Sequence, residues 1–287
     1  MKIGPKARTA KAIGAAVLVA AVPMQATADA AMTYFERTVV LEADARCRMF
    51  SGPVRSALTT AQRQARNAAL RAGAREVDLN DAASRARVRA AGVACGEPDL
   101  KLIQGRVENA FSGWVRMPRM TFPGARADWM ADRTIYKSAR WRLVQASMTG
   151  SSPVAFGYAT SLSGEALTAV VSFRGQARPY AARLVLRDPQ RAPRAWLGHA
   201  ASLPPEGLQQ VIWASGSAPA EAGVLFEGKT TGEMWRFPEA AAAALERLDP
   251  REPFAVEFVF RDDSVARATF EAGDFAAGRA FLMMGAM

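Results

Sequence analysis

Between residues 33 and 116 apolar residues recur with the spacing of α-helices. Val54, Ala57, Leu58, Ala61, Ala65, Ala68, Ala69 and Ala72 fall at i, i+3, i+4 and i+7 positions, so they share one face. Arg55, Arg63 and Arg66 occupy the other face, and Gly73 supplies a helix stop. A shorter arginine-rich helix is predicted over 80–92, where Asn80 or Asp81 can accept hydrogen bonds from its first free N–H groups. Pro98 and Asp99 open the clearest helix, on which Leu100, Ile103, Val107, Ala110, Phe111 and Trp114 make one broad apolar stripe. The stretch from Tyr34 to Cys47 reads as a further helix.

The period changes after residue 116. In 117–140, Pro118, Pro123 and Gly124 interrupt any regular spacing, while Met117, Met120, Phe122, Trp129 and Met130 are large and apolar. That combination predicts a linker packed onto a domain; the alternative is an exposed loop that engages a partner. From Trp141 onward the alternation is that of strands. They are expected at 141–148, 153–160, 166–174, 181–187, 208–214, 222–227, 231–237, 253–261 and 264–271. Phe254, Val256, Phe258 and Phe260 share one face, and Asp262 and Asp263 sit at the turn that follows. Two short helices, 238–248 and 274–283, interrupt the strands. Short strands with regular turn signals imply a sandwich or a strongly curved sheet.

The first thirty residues follow neither pattern. Lys2, Lys6, Arg8 and Lys11 precede an uncharged apolar run over 12–22, and Pro23 breaks it. Small residues then stand at cleavage spacing, either Ala26-Thr27-Ala28 or Ala28-Asp29-Ala30. A basic start, a short apolar run and a small-x-small site, in that order, describe a secretory signal. The run is about half the ~20 residues a membrane-spanning helix needs. The expected layout is therefore a signal peptide over 1–30, a helical region over 31–116, a packed linker over 117–140 and a β-rich domain over 141–287. The fold class is α+β, with a disulfide-stapled helical N-terminal region before a mostly antiparallel β-sandwich-like domain carrying two short helices.

Export changes how composition is read. The chain has a formal net charge of +10, and removing 1–30 leaves 33 basic against 26 acidic groups. The excess is uneven, +9 over 31–150 and −2 over 151–287. Such asymmetry favours an anionic partner for the helical half, and outside the cytoplasm that means an anionic lipid, a lipopolysaccharide or an envelope protein. Residues 51–96 contain no aromatic, so the stacking platforms of nucleic-acid binding are missing there. Arg55, Arg63, Arg66 and Arg71 are the candidate anion-binding residues, since guanidinium groups suit bidentate contact to phosphate or carboxylate. The plainer reading is that arginine coats exposed helix faces. Cys47 and Cys95 are an even pair in an exported chain and read as a disulfide; two inert buried thiols are the alternative.

No catalytic constellation stands out. The single histidine, His199, lies beside Pro204 and Pro205 with Ser202 nearby, but no Gly-x-Ser-x-Gly elbow presents a nucleophile. One histidine and two distant cysteines fall short of a zinc site. A hydrolase built on spatially paired carboxylates stays open, with Asp188, Glu227, Glu233 and Glu257 on or near strands. No catalytic residue, metal or cofactor is assigned, and no spanning segment is expected in the mature chain.

The last fifty residues carry a resemblance. A strand feeds a short helix over 234–248, two strands follow at 253–261 and 264–271, and Gly273, Phe275, Ala276 and Ala277 begin a closing helix. This order resembles the C-terminal part of the invasion-associated locus B family. The resemblance implies an exported envelope protein with a β-sandwich and no catalytic residues. The expected function is therefore a non-catalytic binding or scaffolding role in the cell envelope. The carboxylate hydrolase and the anionic-surface binder stand as alternatives.

Overall fold

A computed structural model describes residues 24–161, 164–173, 178–198 and 202–287. Four helices come first: α1 (Met24–Cys47), α2 (Gly52–Arg71), α3 (Glu76–Ala91) and α4 (Pro98–Val115). The alanine stripe of α2 is buried as its spacing requires, with Ala57, Ala61 and Ala69 fully enclosed. Short side chains let α1 and α2 approach closely, and α3 packs against α1. Cys47 and Cys95 form a disulfide that ties the end of α1 to the turn before α4. The main part of the expected signal, residues 1–23, lies outside the described residues. Both expected cleavage positions fall within the first two turns of α1, which begins ten residues before Tyr34.

Among the described residues, eleven strands and two α-helices follow. They are β1 (Arg119–Phe122), β2 (Trp129–Asp132), β3 (Arg140–Thr149), β4 (Ser152–Ser161), β5 (Gly164–Val171), β6 (Ala181–Arg187), β7 (Gln209–Trp213), β8 (Gly216–Pro219), β9 (Glu233–Phe237), α5 (Glu239–Leu245), β10 (Pro253–Val259), β11 (Val265–Glu271) and α6 (Phe275–Leu282). The strands make two antiparallel sheets, of order β1-β2-β3-β4-β5-β9-β8 and β11-β10-β6-β7. Their inner faces meet through aromatic rings. Phe156 of β4 lies 5.3 Å from Phe254 and 5.6 Å from Phe270, centre to centre. Ser147 Oγ of β3 donates to the Thr269 carbonyl (2.6 Å), closing the seam between the sheets. The architecture is the expected α+β arrangement, a helical region followed by a sandwich-like pair of sheets.

Three local expectations change. The segment 117–140 packs down as expected, with Phe122 and Trp129 fully buried, but it does so as two short strands, β1 and β2, rather than as irregular chain. Strands of four residues are too short to display an alternation. The strand expected at 222–227 is a 3-10 turn over Ala222–Val224, and its place at the sheet edge belongs to β8. The third helix starts at Glu76 rather than near Asn80.

The closing helix α6 joins the layers. It packs on β1, β2 and β3 on one side and on α2 on the other. Gly278 makes this possible, because a Cβ there would stand 2.6 Å from a methyl of Leu143 on β3. Across the sheet, Gly157 of β4 has φ +150°, and a Cβ on it would meet the Leu143 carbonyl oxygen at 1.9 Å.

Candidate anion-binding groove

The four candidate arginines sit on α2, and each is bound to a carboxylate of this chain. Arg55 pairs with Asp44, which is buried at the end of α1, and its Nη2 donates to the Phe50 carbonyl (3.0 Å). Asp44 also accepts the Phe50 N–H (2.9 Å), so this cluster fixes the turn between α1 and α2. Arg63 Nη1 donates to Glu246 after α5 (2.9 Å) and to the Ala276 carbonyl of α6 (2.7 Å). Arg66 reaches Glu76 at 2.7 Å. Arg71 donates to Asp274 (2.7 Å), a fully buried carboxylate that also accepts from Asn67 Nδ2 (2.9 Å). Arg63 and Arg71 thus fasten the helical layer to the β-rich half, while Arg55 and Arg66 tie α2 to α1 and α3. The surplus charge counted from the sequence is, at these positions, already neutralised.

A groove of about 1140 Å³ opens beside them. One wall is the turn between α2 and α3. The other is the β6–β7 connection at Pro189, Pro193 and Arg194, together with the chain after α5. Its floor carries Arg187 from the end of β6, only 3% exposed, whose Nε and Nη2 donate to Glu252 at 2.5 and 3.0 Å. Glu252 also accepts the backbone N–H groups of Asp249 (2.8 Å) and Trp196 (2.9 Å), and Arg187 Nη1 donates to the Ala192 carbonyl (2.6 Å). A buried pair with its remaining hydrogen-bonding capacity filled is a rigid base.

The acids of the groove are all engaged. Glu76 is held by Arg66, Glu246 by Arg63 and Arg279, and Asp249 by Arg251. The hydrogen bond to Asp249 raises the Arg251 pKa above the usual guanidinium value, against the opposing effect of burial. Arg194 and Arg247 also line the groove, both exposed, and neither has a carboxylate within bonding distance among the described residues. The groove therefore carries a cationic surplus. Neither residue stood out in the sequence, because each is a lone arginine in a chain rich in arginine, brought to the groove by a different loop.

Comparison with known proteins finds no matching protein family, curated protein or solved structure.

The other expected chemistry is spread apart. His199 lies outside the described residues; near it, the Trp196 indole N–H donates to the Ser202 carbonyl (3.1 Å). Glu257 is buried on β10 between Arg183 and Arg267, each donating at 2.7 Å. Glu233 on β9 pairs with Arg178 at 2.5 Å, yet burial pushes its carboxyl above the ordinary glutamate value. Asp188 faces Arg191 (3.5 Å), and Glu227 is exposed. Among the described residues, no group of three or more His, Cys, Asp or Glu side chains is assembled to hold a metal. No helix among the described residues is long and apolar enough to cross a membrane.

Proposed function

We propose that this chain is an exported, non-catalytic binding protein of the cell envelope whose ligand is an anion seated in the arginine-lined groove. One observation carries the ligand's sign: Arg194 and Arg247 line a groove in which every acid is already held by another arginine. Guanidinium groups offer paired donors that match phosphate and carboxylate oxygens. The extracytoplasmic address is supported by the basic-apolar-small order of residues 1–30 and by the Cys47–Cys95 disulfide, a bond that persists in oxidising compartments. The resemblance of 234–282 to the invasion-associated locus B family belongs to the same reading.

The test is calorimetric titration with pyrophosphate at low and moderate ionic strength. Binding is expected to weaken as salt rises, because exposed charge pairs are screened over about 10 Å at 0.1 M. It is also expected to fall at least tenfold in an Arg194→Gln/Arg247→Gln variant. Affinity indifferent to salt, or to both substitutions, removes the reading. N-terminal sequencing of chain recovered from the envelope should begin at Asp29 or Ala31, and an intact Met1 there would exclude cleavage.

A further inference from the structure

The two sheets end in the strands β1, β8, β11 and β7. The outer side of such a strand carries a row of unpaired N–H and C=O groups that invites another strand, and charge or proline ordinarily blunts it. β1 carries Arg119, β11 carries Arg267 and β8 carries Pro219. β7, Gln209-Gln-Val-Ile-Trp213, has neither device. Its pairing with β6 has a fixed phase, because the Ala214 N–H donates to the Ala182 carbonyl and the Asp188 N–H to the Leu208 carbonyl, both at 2.9 Å. Gln210 and Ile212 therefore bond to β6, while Val211 and Trp213 turn their N–H and C=O groups outward, where no described residue meets them. The Gln209 carbonyl turns outward as well, and its N–H is used by the Glu206 carbonyl. The side chains beside this open ladder are large and apolar, with Val211 42% and Trp213 49% exposed.

Alternating donors and acceptors at strand spacing match an extended strand. Charge decides which strand. The chain has a formal net charge of +10, so two copies repel unless they meet at a neutral surface. β7 is such a surface. It has no charged residue, and the arginines beside it on β6 are already engaged: Arg183 donates to Glu257 (2.7 Å) and lies over the Trp213 ring at 5.4 Å, and Arg187 is held by Glu252. The edge offers nothing to draw a charged segment, and its complement is a neutral strand, as β7 itself is. We propose that this edge joins two copies of the chain, β7 running antiparallel to β7 about a two-fold axis at Val211. Each Val211 N–H then meets the Val211 carbonyl of the second copy, and each Trp213 N–H meets its Gln209 carbonyl. The Trp213 and Gln209 side chains face each other across the axis, with no like charges opposed. A two-fold contact uses the same patch on both copies and closes at the dimer. The inference does not rest on the anion-binding reading.

The test is sedimentation equilibrium of the purified chain from about 1 μM to about 1 mM, the range of weak to moderate association. A monomer–dimer equilibrium is expected within it. Val211→Pro removes an N–H that β6 does not use, so it should abolish the dimer and leave the thermal unfolding profile in place. Val211→Lys and Val211→Glu should each be monomeric alone, since the axis sets like charges opposite one another. Mixed in equal amounts, they should form a heterodimer at least tenfold tighter than either forms with itself, a preference that fades as salt rises. This charge pair decides alone if the proline variant unfolds. A wild-type chain that stays monomeric throughout overturns the proposal and leaves the edge to an extended segment of another protein. A dimer that survives Val211→Pro, or Lys and Glu variants that pair no better mixed than alone, places the contact elsewhere and overturns it too.

Discussion

Single residues in this protein matter most where a charge is enclosed. Glu252 is 1% exposed, and its two oxygens accept from Arg187 and from two backbone N–H groups. Removing one member of such a pair strands the other without water, a loss of about 3–5 kcal/mol. Glu252→Ala is therefore expected to lower stability by that order in urea denaturation. Replacing both Arg187 and Glu252 by apolar residues of similar size should cost much less. Equal losses in the single and double variants would mean that the pair contributes net attraction rather than merely avoiding a stranded charge. The sequence showed that arginine was abundant but not which arginines had partners. Arg71 and Asp274 are 203 positions apart, and nothing local links them.

At the scale of elements, legibility followed length and periodicity. The α2 stripe and the alternation of β10 were readable because many residues repeat one period, and β6 appears over Ala181–Arg187 as expected. β1, β2 and β8 have four residues each, too few to establish a period, and they exist because a neighbouring strand offers hydrogen bonds. The staple between α1 and α4 acts on the ends of helices whose alanine contacts bury little area each. Cys47 and Cys95 are 48 positions apart, and a closed loop of that size restricts the unfolded chain by about 4 kcal/mol in the chain-entropy model. Reducing the purified chain, or making Cys47→Ser/Cys95→Ser, should lower the guanidinium midpoint by the equivalent of ~2–4 kcal/mol. No shift on reduction would show that the helical layer holds α4 without the bond.

The whole molecule is two unlike halves fastened by charge and by one helix. Arg63 and Arg71 of α2 reach Glu246 and Asp274 in the β-rich half, while α6 is packed between α2 and the larger sheet. Unfolding the helical layer alone would strand the buried carboxylate of Asp274 and uncover the face of α6 that packs on α2. Helical circular dichroism and the fluorescence of the buried Trp129 and Trp235 should therefore change together in a guanidinium titration, as a two-state transition requires. Two separated transitions would mean that the helical layer folds as an independent domain.

The sequence by itself determined what short-range periodicity and composition encode. Those are four helices before a strand-rich domain, a cysteine pair able to bridge, and a basic surplus confined to the first half. Each depends on residues within a few positions of one another or on simple counts. Tertiary structure decided where the surplus is spent. It set the four α2 arginines against buried or half-buried carboxylates and drew 117–140 into the larger sheet. It also left Arg194 and Arg247 open in a groove. The physical reason is that pairing and pocket formation depend on distance in space, and a charge's neighbours across a fold are not its neighbours along the chain.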